Sequence, residues 1–536
     1  MGVPGGGREV VAGYAAHTMT IHAQLPRRRS AGTGRATRRF GAVGISAAVL
    51  AVLAGVTGLA GTAGATSRAP VSSWPSARYN AAQTGFNVAE HTLSTANVAR
   101  LKVVATGQLH DTYAMGIPVV SDGVAYVESY TIHGPPARLD AISTSCATTG
   151  KPCKVLWTAV VGRYGGDTPT VADGMVFAGG DTGTVVSDPR LYAFPRHCRT
   201  DGGICRPRWH IDLPGEGAGG KGGSLDMPPT VSGKTVYVVA GPAFHAFLYA
   251  LPTSCPGAAD HPCAPLWRGK VHIGESLWQV AVAHGFAYVS DYDGGIYAFH
   301  TTCKTRNRVC GPAWIGYTHE LGPPTVAVRD GLMFADSQNN KVYAFKANGC
   351  GVQGGFCQPV WVGTTHGNVL TPPAVAYGLV VVASDDGHLY AFPESCSRRC
   401  QPAWRGDYGG NDSELALPVI ANGVVYAAST NTPAIRAFGI HCATGGRLCK
   451  PVWVGTARSS YIFEGLAVAG GHLYADGGPT AGPAELYVFG LGAGTPGHVC
   501  RSRTCPAVPG PAGGTARPRP LPRNPRWMPG QDPFTG

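Results

Sequence analysis

Short apolar runs of three to seven residues recur along most of this chain, and turn residues close each of them. The first run, Pro118–Val120, is followed by Ser121-Asp-Gly123 and then by a second run, Val124–Tyr126. Glycines recur in the same kind of turn at Gly123, Gly174, Gly233, Gly285, Gly331, Gly378, Gly423 and Gly471. Asp-Gly and Asn-Gly pairs at several of these turns favour tight β-hairpins, because both turn residues must tolerate positive φ. The pattern therefore predicts an all-β protein.

A third apolar segment follows each hairpin and usually reads Leu-Tyr-Ala-Phe. The regular copies are Leu191–Phe194, Leu248–Leu251, Ile296–Phe299, Val342–Phe345, Leu389–Phe392 and Leu486–Phe489. Two copies diverge: Leu139-Asp-Ala-Ile142 and Ile435-Arg-Ala-Phe438. A repeat of about 40 to 50 residues built from short strands is typical of a propeller blade. Eight copies predict eight blades.

The 16 cysteines fall into eight close pairs, one after each third segment. The pairs are Cys146/Cys153, Cys198/Cys205, Cys255/Cys263, Cys303/Cys310, Cys350/Cys357, Cys396/Cys400, Cys442/Cys449 and Cys500/Cys505. Structural zinc usually uses C-x-x-C pairs, and no pair has that spacing. We therefore expect eight disulfides, each closing the loop between the third and fourth strands of its blade.

A fourth segment with a tryptophan follows seven of the cysteine pairs. The tryptophans are Trp157, Trp209, Trp267, Trp314, Trp361, Trp404 and Trp453. The eighth unit has no such tryptophan, and an unassigned strand-like segment, Leu101–Gly107, precedes the first blade. We predict an eight-bladed β-propeller of four-stranded blades in which this amino-terminal strand completes blade eight and removes the last open edge.

The repeated Leu-Tyr-Ala-Phe, followed by Thr200-Asp-Gly202 and Trp209 in the second unit, resembles the PQQ-like (pyrroloquinoline quinone repeat) eight-bladed propellers. That family includes quinoprotein alcohol dehydrogenases and the BamB-type outer-membrane assembly factor. The opening segment Trp74–Asn80, with Asn97–Leu101, is similar to the family's amino-terminal lead-in. The resemblance covers about residues 74 to 505. It implies that the seven tryptophans dock between adjacent blades.

The net charge of +12 is concentrated outside the repeats. Residues 1–65 carry +6 and residues 506–536 carry +3, which leaves +3 for the body and argues against a nucleic-acid partner. Arginines 27–29 and 38–39, the uncharged apolar run Gly41–Ala60 and the small residues Ala63–Ala65 indicate an export signal or an amino-terminal membrane anchor. We predict an extracytoplasmic propeller over residues 66–505 and a disordered tail over residues 506–536.

Catalytic motifs are weak or missing. In the quinoprotein branch, the resemblance implies a disulfide between adjacent cysteines and a calcium ion, but no two cysteines here are adjacent. The acidic pairs Asp291/Asp293 and Asp385/Asp386 are interpreted as turn residues rather than as metal ligands. Segment Gly215–Gly222 lacks the Ser or Thr of a phosphate loop. We expect no catalytic residues, no metal and no cofactor.

Ligand sites should break the repeat, so its departures are candidate partner surfaces. These are Tyr130–Pro136, Gly215–Ser224, Ala240–Phe247, Gly477–Pro483 and Trp278. The interpretation is an exported, non-catalytic binding or assembly scaffold of the cell envelope, with an envelope or extracellular protein as partner. The alternatives are a PQQ-dependent dehydrogenase with a diverged site, which would bind PQQ and calcium, and a carbohydrate-binding propeller.

Overall fold

The computed structural model describes residues 72–491 with several gaps. The gaps are residues 132–135, 163–167, 182–188, 214–224, 226, 242–245, 256–262, 272–278, 306, 320–321, 410–416, 430–431, 458–460 and 479–481. The leader, the carboxyl-terminal tail, Cys500, Cys505 and Trp278 lie outside the described residues, as do all or parts of the four predicted insertions.

Eight separate sheets form the described body, and each has four antiparallel strands in simple up-and-down order. From the innermost strand outward, the strands are as follows: blade 1, Tyr113–Ser121, Val124–Tyr130, Arg138–Ser143 and Val155–Val160; blade 2, Thr170–Ala172, Met175–Asp181, Pro189–Pro195 and Trp209–Asp212; blade 3, Thr230–Ser232, Thr235–Ala240, Phe247–Pro252 and Trp267–Lys270; blade 4, Ala281–Ala283, Phe286–Ser290, Gly295–His300 and Trp314–Tyr317; blade 5, Val326–Arg329, Leu332–Ala335, Lys341–Lys346 and Trp361–Thr364; blade 6, Ala374–Ala376, Leu379–Ala383, His388–Pro393 and Trp404–Asp407; blade 7, Val419–Ala421, Val424–Ser429, Thr432–Gly439 and Trp453–Thr456; blade 8, Tyr461–Ala469, His472–Gly478, Glu485–Leu491 and Leu101–Gln108. The eight-bladed β-propeller is confirmed.

The turn chemistry explains why the first two strands of each blade pair closely. In seven of the eight hairpins both central residues have positive φ, as at Asp122 (47°) and Gly123 (78°). Such turns match the right-handed twist of the paired strands. Ser232-Gly233 is the exception, since only its glycine has positive φ.

Strand Leu101–Gln108 closes the ring. It pairs antiparallel with Glu485–Leu491 of blade 8, with one irregularity between Val103 and Ala105. This confirms the predicted fourth strand of the last blade, so the sheet that ends the repeats is completed by residues that precede them. Two short helices flank these elements: a 3-10 helix at Val98–Arg100 and an α-helix at Cys146–Thr149.

The disulfide loops connect neighbouring blades as well as closing their own. In blades 4 to 7, the segment ending at the second cysteine forms a short strand that pairs in parallel with the outer strand of the preceding blade. These additional strands are Val309–Cys310, Gly355–Cys357, Arg399–Cys400 and Arg447–Cys449. The loop of blade 2 makes the equivalent bridge through Ile204 to Thr158 of blade 1. The disulfides therefore stabilise the seams between blades, which the spacing of the cysteines did not predict.

The strand order also sorts the connections onto two faces of the ring. Because the four strands alternate in direction, the hairpin turns and the disulfide loops lie on one face, which we call the hairpin face. The connections from the second to the third strand, and from each blade to the next, lie on the opposite face, which we call the insertion face. All four predicted insertions belong to the insertion face.

Candidate functional site

Seven predicted cysteine pairs are bonded in the structure. They are Cys146–Cys153, Cys198–Cys205, Cys255–Cys263, Cys303–Cys310, Cys350–Cys357, Cys396–Cys400 and Cys442–Cys449. No free cysteine is found among the described residues. Disulfides in this number indicate an extracytoplasmic location.

The seven tryptophans begin the outer strands and are buried. Trp361 of blade 5 shows the arrangement most clearly: its indole N–H donates to the carbonyl of Glu394 in blade 6 at 2.9 Å, and its ring lies 6.3 Å from that of Phe392. Trp157, Trp267, Trp404 and Trp453 donate to the following blade in the same way. The glycine of the Trp-x-Gly motif leaves space for the neighbour's ring, since a Cβ at Gly363 would lie 2.7 Å from Phe392. These tryptophans are seam residues.

The lead-in segment Trp74–Asn87 crosses the end of the central channel and bonds to the innermost strand of every blade. Most of its contacts use backbone atoms: the carbonyl of Thr84, for example, accepts a hydrogen bond from the N–H of Val375 at 2.8 Å. Its partners in blades 1 to 8 are Val120, Val171, Thr230, Val282, Val328, Val375, Ile420 and Val468. The inner strand edges would otherwise leave these backbone groups unpaired. The segment therefore serves as a hub that covers the channel on the hairpin face.

Arg78 anchors this hub and is fully buried. Its guanidinium donates to the carbonyl oxygens of Pro418 at 2.8 Å and of Pro372 and Pro373 at 3.2 Å, just before the inner strands of blades 7 and 6. Burial lowers the pKa of Arg78 to about 9, an effect that the negative charge of Asp336 opposes. Arg78 is therefore committed to holding the hub.

The buried carboxylates near the channel are also engaged locally. Asp336 accepts a hydrogen bond from the backbone N–H of Thr325, and burial raises the pKa of Asp336 to about 8. Asp291 accepts from the N–H of Gly295 at 2.8 Å and from the hydroxyl of Tyr297 at 2.7 Å. Burial raises the pKa of Asp291 to about 6.

The second acidic pair of the sequence is used in the same manner. Asp386 accepts from the N–H of His388 at 3.0 Å and from the hydroxyl of Tyr390 at 2.5 Å. Asp385 accepts from the side-chain amide of Asn368 at 3.0 Å. Asp291, Asp385 and Asp386 thus all stabilise connections between second and third strands, in agreement with the turn interpretation.

A polar cluster that sequence reasoning missed lies at the seam between blades 8 and 1, on the insertion face. Asp140 occupies the tyrosine position of the divergent third strand and is fully buried. Its carboxylate contacts His110 Nδ1 at 2.7 Å, and it accepts hydrogen bonds from the hydroxyl of Thr158 at 2.7 Å and the N–H of His110 at 3.0 Å. Beside it, Arg138 pairs with the buried Asp111 at 2.7 Å. The substitution of Tyr by Asp in that repeat was the available signal.

The hydrogen bond to Asp140 is the largest influence on His110 and raises its pKa, with burial acting in the opposite direction. The His110 side chain is 43% exposed, whereas that of Asp140 is completely buried. This arrangement can hold a proton at the surface of the seam. The described residues nearby provide no nucleophile aligned with the imidazole, so the pair by itself defines no reaction.

The described residues do not fit the quinone and calcium site of the dehydrogenase alternative. Their disulfides join cysteines four to eight positions apart, in loops at the outer edge of the ring. Within the same residues, no group of three or more His, Cys, Asp or Glu side chains could hold a metal ion. In addition, no described helix is long and apolar enough to cross a membrane.

Comparison with known proteins supports the fold. Residues 264–448 match the family model described as outer membrane protein assembly factor BamB. No curated protein sequence matches the chain. Among solved structures, the quinohemoprotein alcohol dehydrogenase from Comamonas testosteroni is similar, with a TM-score of 0.56 and 12% identity over 79% of this chain and 81% of the other.

Two further structures are similar at low identity. A europium-containing methanol dehydrogenase gives a TM-score of 0.53 with 12% identity over 78% of this chain and 98% of the other. BamB from Moraxella catarrhalis gives 0.47 with 15% identity over 74% and 99%. The resemblance drawn from the repeats is thereby confirmed: this chain is an eight-bladed propeller similar to the PQQ-like proteins, with both BamB-type and quinoprotein relatives.

Proposed function

We propose that this chain is an exported, non-catalytic binding or assembly scaffold of the cell envelope whose protein partner contacts the hairpin face. The observation that carries the proposal is the distribution of exposed apolar side chains. Of the eleven large apolar side chains that are strongly exposed among the described residues, eight lie in hairpin turns, disulfide loops or the lead-in. These eight are Val88, Ile204, Leu266, Val352, Phe356, Val360, Tyr377 and Leu448.

Exposed apolar side chains concentrated on one face mark protein-interaction sites more often than solvent-facing surface. The hub fills the channel at that face with the chain's own backbone, so a partner would contact the rim rather than the channel. The family match also supports this proposal, because BamB is described as an outer membrane protein assembly factor. Fold similarity alone does not select this function.

Site-specific photocrosslinking in the producing cell tests the proposal. A photoreactive phenylalanine analogue replaces Ile204 or Leu448 on the hairpin face, and Tyr292 on the insertion face serves as the matched control because it is also exposed, at 41%. We expect a discrete adduct of the same added mass from both hairpin-face positions and none from Tyr292. Adducts from Tyr292 alone, or from none of the three positions, would contradict the proposed partner surface.

A further inference from the structure

An aromatic groove of about 370 Å³ lies where the outer strand of blade 4 meets the disulfide loop of blade 5. It is lined by Tyr317, His319, Phe356, Cys357, Gln358 and Pro359. The ring of Tyr317 lies 6.0 Å from that of Phe356 and 5.9 Å from that of His319. Phe356 is 67% exposed, more than any other large apolar side chain in the described part of the chain.

Both central aromatic residues depart from the repeat. The position of Tyr317, three residues after the tryptophan, holds Val160, Asp212, Lys270, Thr364, Asp407 and Thr456 in the other blades. The position of Phe356, just before the second cysteine, holds Ile204, Val309, Arg399 and Leu448 in four other described loops. Packing of the ring does not require an aromatic residue at either position. Their meeting at a single seam is therefore a feature of blades 4 and 5 rather than of the fold.

We propose that this groove binds the segment Arg517–Arg523 of the same chain in a polyproline II conformation. The segment reads Arg-Pro-Arg-Pro-Leu-Pro-Arg. Such a sequence prefers polyproline II, and aromatic-lined grooves recognise that helix by packing against its proline rings. Because the proline rings restrict the backbone before binding, the segment loses little conformational entropy in the groove.

Charge complementarity supports this occupant. Burial raises the pKa of Tyr317, and the negative charges of Asp291 and Asp293 raise it further, which places a negative potential beside the groove. The segment carries three arginines and no acidic residue. An arginine that flanks the prolines would lie beside these carboxylates.

The connecting chain is long enough. Twenty-six residues separate Leu491, the last described residue, from Arg517. An extended chain of that length spans up to about 85 Å. A compact body of about 420 residues has a radius of gyration of about 22 Å, so every point on the rim lies within reach.

Trypsin digestion of the full chain tests the proposal. The bonds after Arg517 and Arg519 resist trypsin because proline follows, so cleavage after Arg523 reports on exposure of the segment. We compare the wild type with Tyr317→Thr/Phe356→Ala, in which Thr is the residue found in blades 5 and 7. Leu448→Ala is the matched control, since Leu448 occupies the position of Phe356 in another loop. We expect cleavage to become about tenfold faster in the groove variant and to be unchanged in the control.

A second measurement separates the groove from indirect effects on the tail. The full chain carrying Pro518→Ala/Pro520→Ala/Pro522→Ala is titrated with a fluorescent peptide of residues 515–525. We expect saturable binding that is lost when Phe356→Ala is added and kept when Leu448→Ala is added. Equal cleavage in wild type and groove variant, or peptide binding that does not depend on Phe356, would overturn the proposal. Protection that rises with protein concentration would assign the segment to a second copy and overturn the same-chain assignment. All of these outcomes are independent of the crosslinking result on the hairpin face.

Discussion

The backbone N–H of Cys153 donates a hydrogen bond of 2.8 Å to the carbonyl oxygen of Thr106. This bond joins the disulfide loop of blade 1 to the strand that closes blade 8. Replacing Cys146 and Cys153 by serine should therefore loosen the closing strand specifically. We expect amide hydrogen exchange within Leu101–Gln108 to accelerate and the free energy of unfolding to fall by about 2 kcal/mol.

The pair Cys396–Cys400 supplies the control for this prediction, because its loop pairs with blade 5 rather than with the closing strand. Its serine variant should lose a similar free energy of unfolding while exchange in Leu101–Gln108 stays unchanged. Identical exchange profiles for the two variants would show that the loops do not act on their own seams.

Gly363 is required by the neighbouring blade rather than by its own backbone conformation. A Cβ at this position would lie 2.7 Å from the ring of Phe392. We expect Gly363→Ala to lower the free energy of unfolding by about 1 to 3 kcal/mol through overpacking. Gly311→Ala is the control, since nothing lies within 4 Å of its added methyl group. Equal melting temperatures for the two variants would contradict this account of the Trp-x-Gly motif.

Arg78 should be among the most sensitive single positions of the described ring. Replacement by methionine removes the donors to three carbonyl groups and leaves those acceptors buried without a protein partner. We expect a loss of about 3 to 5 kcal/mol in the free energy of unfolding, measured by chemical denaturation. Arg190→Met, which breaks a surface pair with the 55% exposed Asp212, should cost less than about 1 kcal/mol. A loss of that small size at Arg78 would show that the hub does not depend on it.

Two histidines should titrate in opposite directions from the ordinary value of 6.5. The hydrogen bond to Asp140 raises the pKa of His110, whereas burial lowers that of His472. The raised pKa means that the contribution of His110 to stability is complete below pH 6.5 and is lost as the pH rises through its folded pKa. His472 acts in the opposite sense: its contribution is present above pH 6.5 and is lost as the pH falls through its own folded pKa.

Nuclear magnetic resonance titration of the two imidazoles checks both directions in one sample. His110→Asn should remove the upper transition and leave that of His472 in place. A pKa for His110 at or below 6.5 would mean that the Asp140 contact does not persist in solution.

The ring could be predicted from the sequence because its information is repeated. Each Leu-Tyr-Ala-Phe strand and each Trp-x-Gly strand places the same side chains at the same seam, so one motif predicts many contacts. The missing tryptophan in the last unit predicted the closing strand in the same way.

The hub and the additional strands could not be predicted. The lead-in bonds mainly through backbone atoms, and strands such as Val309–Cys310 are too short to show any periodicity. The polar seam had one signal, Asp140 in a divergent repeat, but its partner His110 is distant in sequence and belongs to the connection that follows the closing strand. The aromatic groove likewise depends on residues from two blades.

The most direct test of the scaffold account is an absorption titration of the purified full chain with pyrroloquinoline quinone in the presence of calcium. A dehydrogenase site would bind the quinone stoichiometrically and shift its spectrum. The account predicts no saturable change in the quinone spectrum, because the described residues lack both the adjacent-cysteine disulfide and a group of metal ligands. Saturable binding of one quinone per chain would contradict the scaffold account and establish a cofactor site in this propeller.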